Sequence, residues 1–232
     1  MIMSTIAKNL AAVGERIRRA ESVFERTPGG VRLLAVSKTH PPSAIIEAYR
    51  AGQRHFAESY VQEALQKQQA LGAFDITWHF IGPIQSNKTK WIAQHFQWVH
   101  SIDRIKIAQR LNEQRPAHVP PLNVCLQINI SHENTKSGSE LSELPALVEA
   151  VGDMPRLRLR GVMAIPAPQC DFALQREPYR ALNRAVAQLG RCDFDTFSFG
   201  MSDDLEAAIA EGATMVRIGT AIFGEREYAA SA

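Results

Sequence analysis

The sequence predicts an α/β protein: a (β/α)8 barrel of the TIM type, in a single domain over residues 1–232, with one extra helix at the N-terminus. Three observations predict this fold. A helical pattern ends at a breaker cluster, eight short apolar runs rich in β-branched residues follow it, and an amphipathic segment separates each run from the next. Strands that alternate with helices form a parallel sheet, and eight such units close into a barrel at a typical length of about 250 residues.

The leading helix is predicted over residues 4–27. Its apolar side chains recur at helical spacing, and the pattern stops at the sequence TPGG at residues 27–30, which cannot continue a helix. The barrel is expected over residues 31–224. Its strands are predicted at 31–37, 54–57, 76–82, 97–102, 122–130, 157–165, 196–200 and 215–219, and its helices at 42–52, 58–71, 86–95, 103–115, 139–151, 173–190 and 203–211.

An open, doubly wound parallel sheet is the alternative fold, because the same alternation of strands and helices permits it. The first predicted strand is not followed by the G-x-G-x-x-G sequence that binds phosphate in the dinucleotide folds. No internal repeat or low-complexity linker divides the chain, so one domain is expected.

The composition gives no electrostatic reason to expect nucleic acid or an anionic membrane as a partner, since 26 basic and 24 acidic residues leave a net charge of +2. The N-terminus has no signal pattern, and no segment reaches the roughly 20 apolar residues of a membrane span. Three cysteines without C-x-x-C spacing are typical of reduced thiols. A cytoplasmic protein is therefore expected.

Lys38 is the first candidate functional residue, because it directly follows the first predicted strand. In a (β/α)8 barrel the active site lies at the carboxyl ends of the strands. Partial desolvation there lowers the pKa of a lysine and makes its neutral amine a nucleophile, which Schiff-base chemistry requires. The simpler interpretation is a lysine that extends from a strand end into solvent.

The loops after strands 7 and 8 are candidates for a phosphate site, which such barrels frequently build there. The first loop contains Met201 and Ser202, and Ser202 is a plausible helix N-cap. The second contains Gly219, which allows close backbone approach, and the hydroxyl donor Thr220. Capping alone explains Ser202, but two suitable loops in the expected places favour an anion site.

Arg217 lies inside the last predicted strand, where a guanidinium is costly unless it meets a partner or faces the mouth. An ion pair is the simpler interpretation. The functional one is contact with the ring nitrogen of a cofactor, where an arginine disfavours a pyridinium and weakens the ring as an electron sink. His79 alternates with two aromatic residues and is expected to face the barrel interior, by default bonded to backbone.

The chain resembles the YggS/PROSC family of pyridoxal phosphate homeostasis proteins, which share the barrel of alanine racemase. The resemblance runs nearly end to end. It rests on LLAVSKTHP around Lys38, YVQEA at 60–64, WHFIGPIQSNK at 78–88, QINISHENTKSG at 127–138, RGVMAI at 160–165 and FGMSDDLEAAIAEGATMVRIGTAIFG at 199–224.

The resemblance implies that pyridoxal 5′-phosphate (PLP) is the cofactor and that Lys38 holds it as a Schiff base. It implies that Arg217 neighbours the pyridine nitrogen and that three residues hold the phosphate: Ser202, Gly219 and Thr220. Met201, Ser59 and His79 complete the expected cofactor site. The implied role is binding and distributing PLP, with no turnover reaction established for the family. Apoenzymes that require PLP are expected as partners.

One departure from the family pattern concerns the segment before YVQEA. Where the family usually has Gly-Glu-Asn, this chain has Ala57-Glu58-Ser59. Any contact that the usual asparagine makes near the cofactor is therefore in doubt, and Ser59 could donate a hydrogen bond only over a shorter reach.

Enzymatic alternatives remain open at this point. A PLP-dependent racemase of this fold class pairs its lysine with a tyrosine from a separate C-terminal domain. Here the chain ends shortly after strand 8, which favours a carrier; Tyr60, Lys88 and Lys136 are weaker candidates for a second base. A sugar-phosphate aldolase would also use a Schiff-base lysine and a phosphate site, but it would give Arg217 no role.

Binding of RNA or metal is not expected. Arg156, Arg158 and Arg160 alternate with leucines, as in a strand with one polar face, and neither they nor the segment 88–91 has clustered aromatic residues. The seven histidines have no metal-binding spacing. The expected oligomeric state is a monomer.

Overall fold

The computed structural model describes residues 4–131, 137–190 and 193–225, and it contains a closed parallel barrel in the strand order β1 to β8. This closure confirms the predicted fold class. The strands are β1 (Arg32–Val36), β2 (His55–Glu58), β3 (Thr77–Phe80), β4 (Trp98–Ile102), β5 (Leu122–Ile128), β6 (Leu157–Ala164), β7 (Thr196–Ser198) and β8 (Met215–Ile218). The helices are α1 (Thr5–Val23), α2 (Pro42–Arg50), α3 (Val61–Ala70), α4 (Thr89–His95), α5 (Ile105–Gln114), α6 (Leu144–Gly152), α7 (Phe172–Gln188), α8 (Leu205–Ala210) and α9 (Thr220–Phe223).

The predicted elements differ from the observed ones mainly at their ends. The helix predicted from residue 58 begins at Val61, because Glu58 continues β2 and pairs with Phe80 of β3. A 3-10 turn (Leu141–Glu143) precedes α6 inside the segment predicted as one helix. The four-residue helix α9 was not predicted, since it is too short to show a period. Lys136 lies outside the described residues.

A buried carboxylate ties helix α1 to the start of the first strand. Glu21, which is 2% exposed, accepts hydrogen bonds from the backbone N–H groups of Gly29 at 3.0 Å and Val31 at 2.8 Å. Gly29 belongs to the breaker sequence at residues 27–30, and Val31 directly precedes β1. The leading helix thereby fixes where β1 begins and, through β1, where its carboxyl end lies.

The strand register places the carboxyl ends of four strands side by side. Ala35 of β1 pairs with Phe56 of β2 on one side and with Ile218 of β8 on the other. Ser198 of β7 pairs with Met215 of β8. Residues that follow β7, β8, β1 and β2 therefore share one sector of the barrel mouth.

The largest apolar cluster packs the strands against the surrounding helices. It contains Phe56 and Phe80 from the strands together with Ile45 and Ile92 from the helices, each at most 1% exposed. Burying a side chain of this size contributes roughly 1.5–3 kcal/mol to folding. Alternate strand residues point to the opposite face, so the barrel interior is filled by a different set of side chains.

Part of that interior is a row of polar side chains that crosses the barrel. His55 Nδ1 lies 3.0 Å from His79 Nε2, and His79 Nδ1 lies 2.9 Å from His100 Nε2. His100 Nδ1 lies 2.9 Å from Ser198 Oγ, which also accepts a hydrogen bond from Arg217 at 2.9 Å. This histidine row connects β2, β3 and β4 to β7 and β8.

Arg217 determines the direction of the hydrogen bonds in the row, because a guanidinium only donates. Ser198 Oγ accepts from Arg217, and the described acceptor for its own hydrogen is His100 Nδ1. His100 then donates from Nε2 to His79, and His79 donates from Nε2 to His55. The arrangement assigns the Nε2–H tautomer to His79 and His100 in their neutral form.

The electrostatic environment keeps the row uncharged. Burial lowers the pKa of His55 to about 4 and that of His100 to about 3, with the charges of Arg32 and Arg217 adding to the respective shifts. Burial, followed by the two neighbouring histidines, lowers the pKa of His79 well below its ordinary value. All three rings are therefore neutral at pH 7.

The free energy of unfolding is expected to fall as the pH drops below about 6.5, the ordinary histidine pKa. Below that pH the histidines are protonated in the unfolded chain but stay neutral in the folded one. This difference lowers the free energy of unfolding by up to about 1.4 kcal/mol per pH unit for each histidine. The variant His100→Asn should show a shallower acid slope in denaturant titrations between pH 7 and 5. The exposed control His118→Gln should retain the original slope, and a flat original slope would contradict the assignment.

Candidate cofactor site

Lys38 lies where the sequence places it, two residues beyond the last residue of β1. The preceding residue, Ser37, still belongs to the sheet edge, because its N–H donates to the carbonyl of Ala57 at 3.0 Å. Lys38 is half-buried, and it makes a polar contact within the chain. The following residue, Thr39, has a positive φ of 69°, which is uncommon for a β-branched side chain. The chain therefore turns sharply at the lysine.

Ser59 occupies the equivalent place at the end of β2 and is held by a glycine from the next loop. A Cβ on Gly82 would lie 2.2 Å from the carbonyl oxygen of Ser59, so only glycine permits this approach. The carbonyl of Gly82 in turn accepts a 2.6 Å hydrogen bond from the buried hydroxyl of Ser101. The residue that replaces the usual family asparagine is thus backed by the loop after β3.

The loop after β7 is shaped by Gly200. Its φ is +86°, and an added Cβ would lie 2.6 Å from the Cβ of Ala208. Its carbonyl accepts a hydrogen bond from the backbone of Arg217 at 3.0 Å, and its N–H donates to the Tyr179 hydroxyl at 3.2 Å. The turn is therefore fixed against both β8 and α7.

Ser202 does not cap a helix, so that part of the prediction was wrong. Helix α8 begins at Leu205, and Asp204 occupies the N-cap position. The Asp204 carboxylate accepts hydrogen bonds from Met201 N at 2.7 Å and from the Tyr179 hydroxyl at 2.6 Å. Ser202 lies one turn earlier and half-buried, with its carbonyl bonded to Arg16 at 3.0 Å. Met201 is exposed.

Gly219 and Thr220 follow β8 and approach the end of β1. A Cβ on Gly219 would lie 3.3 Å from the carbonyl oxygen and 3.4 Å from the Cβ of Val36, a tight contact that glycine avoids. Thr220 begins the short helix α9 and is exposed. The two residues therefore lie in the sector that contains Lys38 on one side and Ser202 on the other.

Arg217 is 3% exposed, below this sector, and its described partners are neutral oxygens. It donates to the carbonyl and hydroxyl of Ser198 and to the carbonyl of Ala164 at 3.0 Å. Within the described part of the chain, these bonds use three of the five N–H groups that a guanidinium carries. Burial lowers the pKa of Arg217, while Tyr179 and Asp204 oppose the shift.

His79 is not among the residues at the mouth. Both of its ring nitrogens are engaged within the histidine row, by His55 and His100, and it is fully buried. The expectation that it faces the interior is confirmed, but its hydrogen bonds go to side chains rather than to backbone. Through His100 and Ser198, the row connects His79 to Arg217.

Ser198, which accepts from Arg217, and His100, which contacts Ser198, were not predicted as parts of the site. The signal was present for His100, which lies in the strand WVHSI just as His79 lies in WHFIG. Two histidines inside successive apolar strands predict an interior polar contact. Ser198 had no such signal, because a serine in a short strand is common on either face.

These residues fit PLP by their chemistry. A half-buried lysine lies at the mouth, glycine-containing loops border it, and a buried guanidinium with two further N–H groups lies beneath. A phosphate needs backbone and hydroxyl donors, and a pyridine nitrogen needs a donor that stays protonated. The donor set at the ends of β7, β8 and β1 meets both requirements.

The described residues also bear on membrane spans and metal clusters. None of the helices in residues 4–131, 137–190 and 193–225 combines the length and apolar character needed to cross a bilayer. The same ranges hold no group of three or more His, Cys, Asp or Glu arranged to hold a metal ion.

In β6, the buried residues Leu157 and Leu159 flank the exposed Arg158, which confirms a strand with one polar face.

Comparison with protein families identifies the domain. Residues 9–227 match the family described as "Alanine racemase, N-terminal domain". The chain is 60% identical over 230 residues to the pyridoxal phosphate homeostasis protein of Pseudomonas aeruginosa, covering 99% of this chain and 100% of that protein. It is 57% identical to the Escherichia coli K12 protein of the same name, covering 97% and 99% of the two chains.

Solved structures share the same architecture. PipY of Synechococcus elongatus with PLP bound is 36% identical, with a TM-score of 0.80 over 94% of this chain and 100% of that one. An alanine racemase of Clostridium difficile gives a TM-score of 0.75 over 97% of this chain and 57% of that one, at 13% identity, which is a likeness of fold alone. The chain belongs to the alanine racemase N-terminal domain family, among the pyridoxal phosphate homeostasis proteins.

Proposed function

We propose that this protein binds PLP at the mouth of its barrel, holds it as a Schiff base on Lys38 and releases it to acceptors, as part of intracellular PLP homeostasis. The observation that carries the proposal is the position of Lys38 between the ends of β2 and β8, with Arg217 buried below. Relatives at 57–60% identity bear the name of this function, and a relative at 36% identity has been solved with PLP bound.

Each residue at the mouth has a distinct task in this proposal. Bound PLP supplies an aldehyde that a lysine amine can capture and a phosphate that hydrogen-bond donors can hold. Ser202, Gly219 and Thr220 would hold the phosphate, and Met201 and Ser59 would border the ring. The main-chain turn at Lys38 aims the amine into the space between these loops.

Arg217 decides which chemistry the site favours. A guanidinium stays protonated, so it donates to a pyridine nitrogen and does not deliver a proton to it. The ring nitrogen then remains neutral, and the ring is a weak electron sink. A site of this kind suits reversible storage of the cofactor better than withdrawal of electrons from a bound amino acid.

The partners follow from a carrier role. PLP is the small-molecule partner, and apoenzymes that require PLP, or free amines, are the acceptors. We propose a monomer in the cytoplasm, where such acceptors are made. No nucleic acid or membrane surface takes part, which agrees with the balanced charge of 26 basic and 24 acidic residues.

Replacing the amine tests the proposed function. The variant Lys38→Met keeps a similar side-chain volume and removes the nucleophile, so added PLP should bind at least tenfold more weakly and without the violet absorption of a lysine adduct. Spectral titration with PLP measures both effects. The exposed control Lys106→Met should behave like the original protein. Unchanged absorption in Lys38→Met would place the covalent bond elsewhere.

The hydroxyl beneath Arg217 provides a second test. The variant Ser198→Ala removes one acceptor from Arg217 and leaves His100 Nδ1 without its described donor, a loss of about 1 kcal/mol for such a bond. PLP affinity should fall by about threefold to tenfold in the same titration. A control on the same strand, Thr196→Val, removes the hydroxyl bonded to Asp195 and should not change PLP affinity. Equal effects of the two variants would contradict the role given to Arg217.

A further inference from the structure

A second lysine lies buried beside the first, in a cluster of charges that the proposed function does not use. Lys67 of α3 is 4% exposed and donates to Glu58 Oε1 at 2.8 Å and to Glu63 Oε1 at 2.5 Å. Glu58 is fully buried and also accepts a hydrogen bond from the Ser37 hydroxyl at 2.6 Å. A buried ammonium is rare in proteins unless it is paired, so this arrangement serves a specific contact.

That contact is with the backbone on both sides of Lys38. The third donor of Lys67 reaches the carbonyl oxygen of Ser37 at 2.7 Å. The partner carboxylate, Glu63, accepts a hydrogen bond from the N–H of Thr39 at 2.6 Å. One ion-paired cluster therefore holds the residue before Lys38 and the residue after it.

The backbone at this point needs support. Thr39 has a φ of +69°, a region that costs a β-branched residue free energy and that persists only where the surroundings enforce it. The hydroxyl of Thr39 and Glu58 Oε2 are buried without a described hydrogen-bond partner. The positive φ and the two buried oxygens are each unfavourable, and all of them lie within one residue of Lys38 or Ser59.

The charges of the cluster explain why lysine is required. Burial raises the pKa of Glu58, while Lys67 and Ser37 oppose the shift. Lys67 supplies three donors to three acceptors, namely the buried Glu58 carboxylate, the partly exposed Glu63 carboxylate and the Ser37 carbonyl. An apolar residue of the same length would leave all three without that donor.

We propose that Lys67 is a positioning residue for Lys38: with Glu58 and Glu63 it fixes the turn from Ser37 to Thr39 and so aims the Lys38 amine at the carbonyl that it captures. The inference rests on the proposed function, because it presumes PLP as the ligand. Lys67 itself forms no bond to the ligand. In covalent capture the Lys38 nitrogen bonds to the aldehyde carbon and the aldehyde oxygen leaves as water. Lys67 contributes to the rate of this step rather than to recognition of the phosphate.

Two ligands separate these contributions. PLP reports covalent capture through its absorption change after rapid mixing, and pyridoxine 5′-phosphate, which lacks the aldehyde, reports recognition alone through competition. The variant Lys67→Met should capture PLP about tenfold to a hundredfold more slowly, because displacing a reacting group by about 1 Å can lower a rate by up to a hundredfold. Its affinity for pyridoxine 5′-phosphate should stay within twofold of the original.

A matched control is available in another buried cation. Arg115 is 5% exposed and donates to the carbonyls of Ala93 at 2.6 Å and Phe96 at 2.7 Å, between α4 and the start of β5 and away from the mouth. The variant Arg115→Met loses a comparable set of bonds. It should lower the melting temperature but leave the capture rate unchanged.

The outcomes are distinguishable. If the original protein captures no PLP, the proposed function fails; if it does and Lys67→Met captures PLP equally fast, the positioning role is overturned. Equal slowing by Lys67→Met and Arg115→Met would also overturn it. Should Lys67→Met not fold, Glu63→Ala removes a partly exposed carboxylate that accepts hydrogen bonds from Thr39 N–H and from Lys67. Lys67 keeps its bonds to Glu58 and to the Ser37 carbonyl in that variant. Glu63→Ala should slow capture about threefold to tenfold, and an unchanged rate would reject the proposal.

Discussion

A buried guanidinium at the centre of the barrel sets conditions that much of the interior must meet. Arg217 needs acceptors that water cannot provide, and the carbonyls of Ser198 and Ala164 supply them from two other strands. The Ser198 hydroxyl, which accepts from Arg217, donates to His100, and the hydrogen bonds continue from His100 along the histidine row. Because the first donor is a permanent cation, the hydrogen bonds of the row run in one direction, while burial lowers the pKa of each ring and keeps it neutral.

At the mouth, the ion-paired residues Lys67, Glu58 and Glu63, called the Lys67 cluster, likewise satisfy one another and the nearby backbone. The Lys67 cluster holds the backbone around Lys38, and the glycine loops after β3, β7 and β8 bring backbone close to the same space. Rigid support beneath a reactive amine is what an aimed but reversible capture requires. Thr39, with its φ of +69°, is the residue whose N–H this cluster holds. Stability and function are thus linked at the end of β1.

Much of this could be predicted from the sequence. Apolar periodicity located all eight strands, and the placement of Lys38 directly after the first one followed from the same pattern. The contact of Lys67 with Ser37 and that of Ser198 with Arg217 could not be predicted, because helix packing and barrel closure bring together residues 30 and 19 positions apart. Ser202 illustrates the opposite error: a good capping residue lay near a helix start, but Asp204 took that position and used its carboxylate on Met201.

The most direct test of the account is to treat the PLP-loaded protein with borohydride, digest it and locate the phosphopyridoxyl group by mass spectrometry. The account predicts loss of the violet absorption and a single modified lysine, Lys38. Modification of Lys67 or of another lysine in place of Lys38, or a protein that takes up no PLP at all, would contradict it.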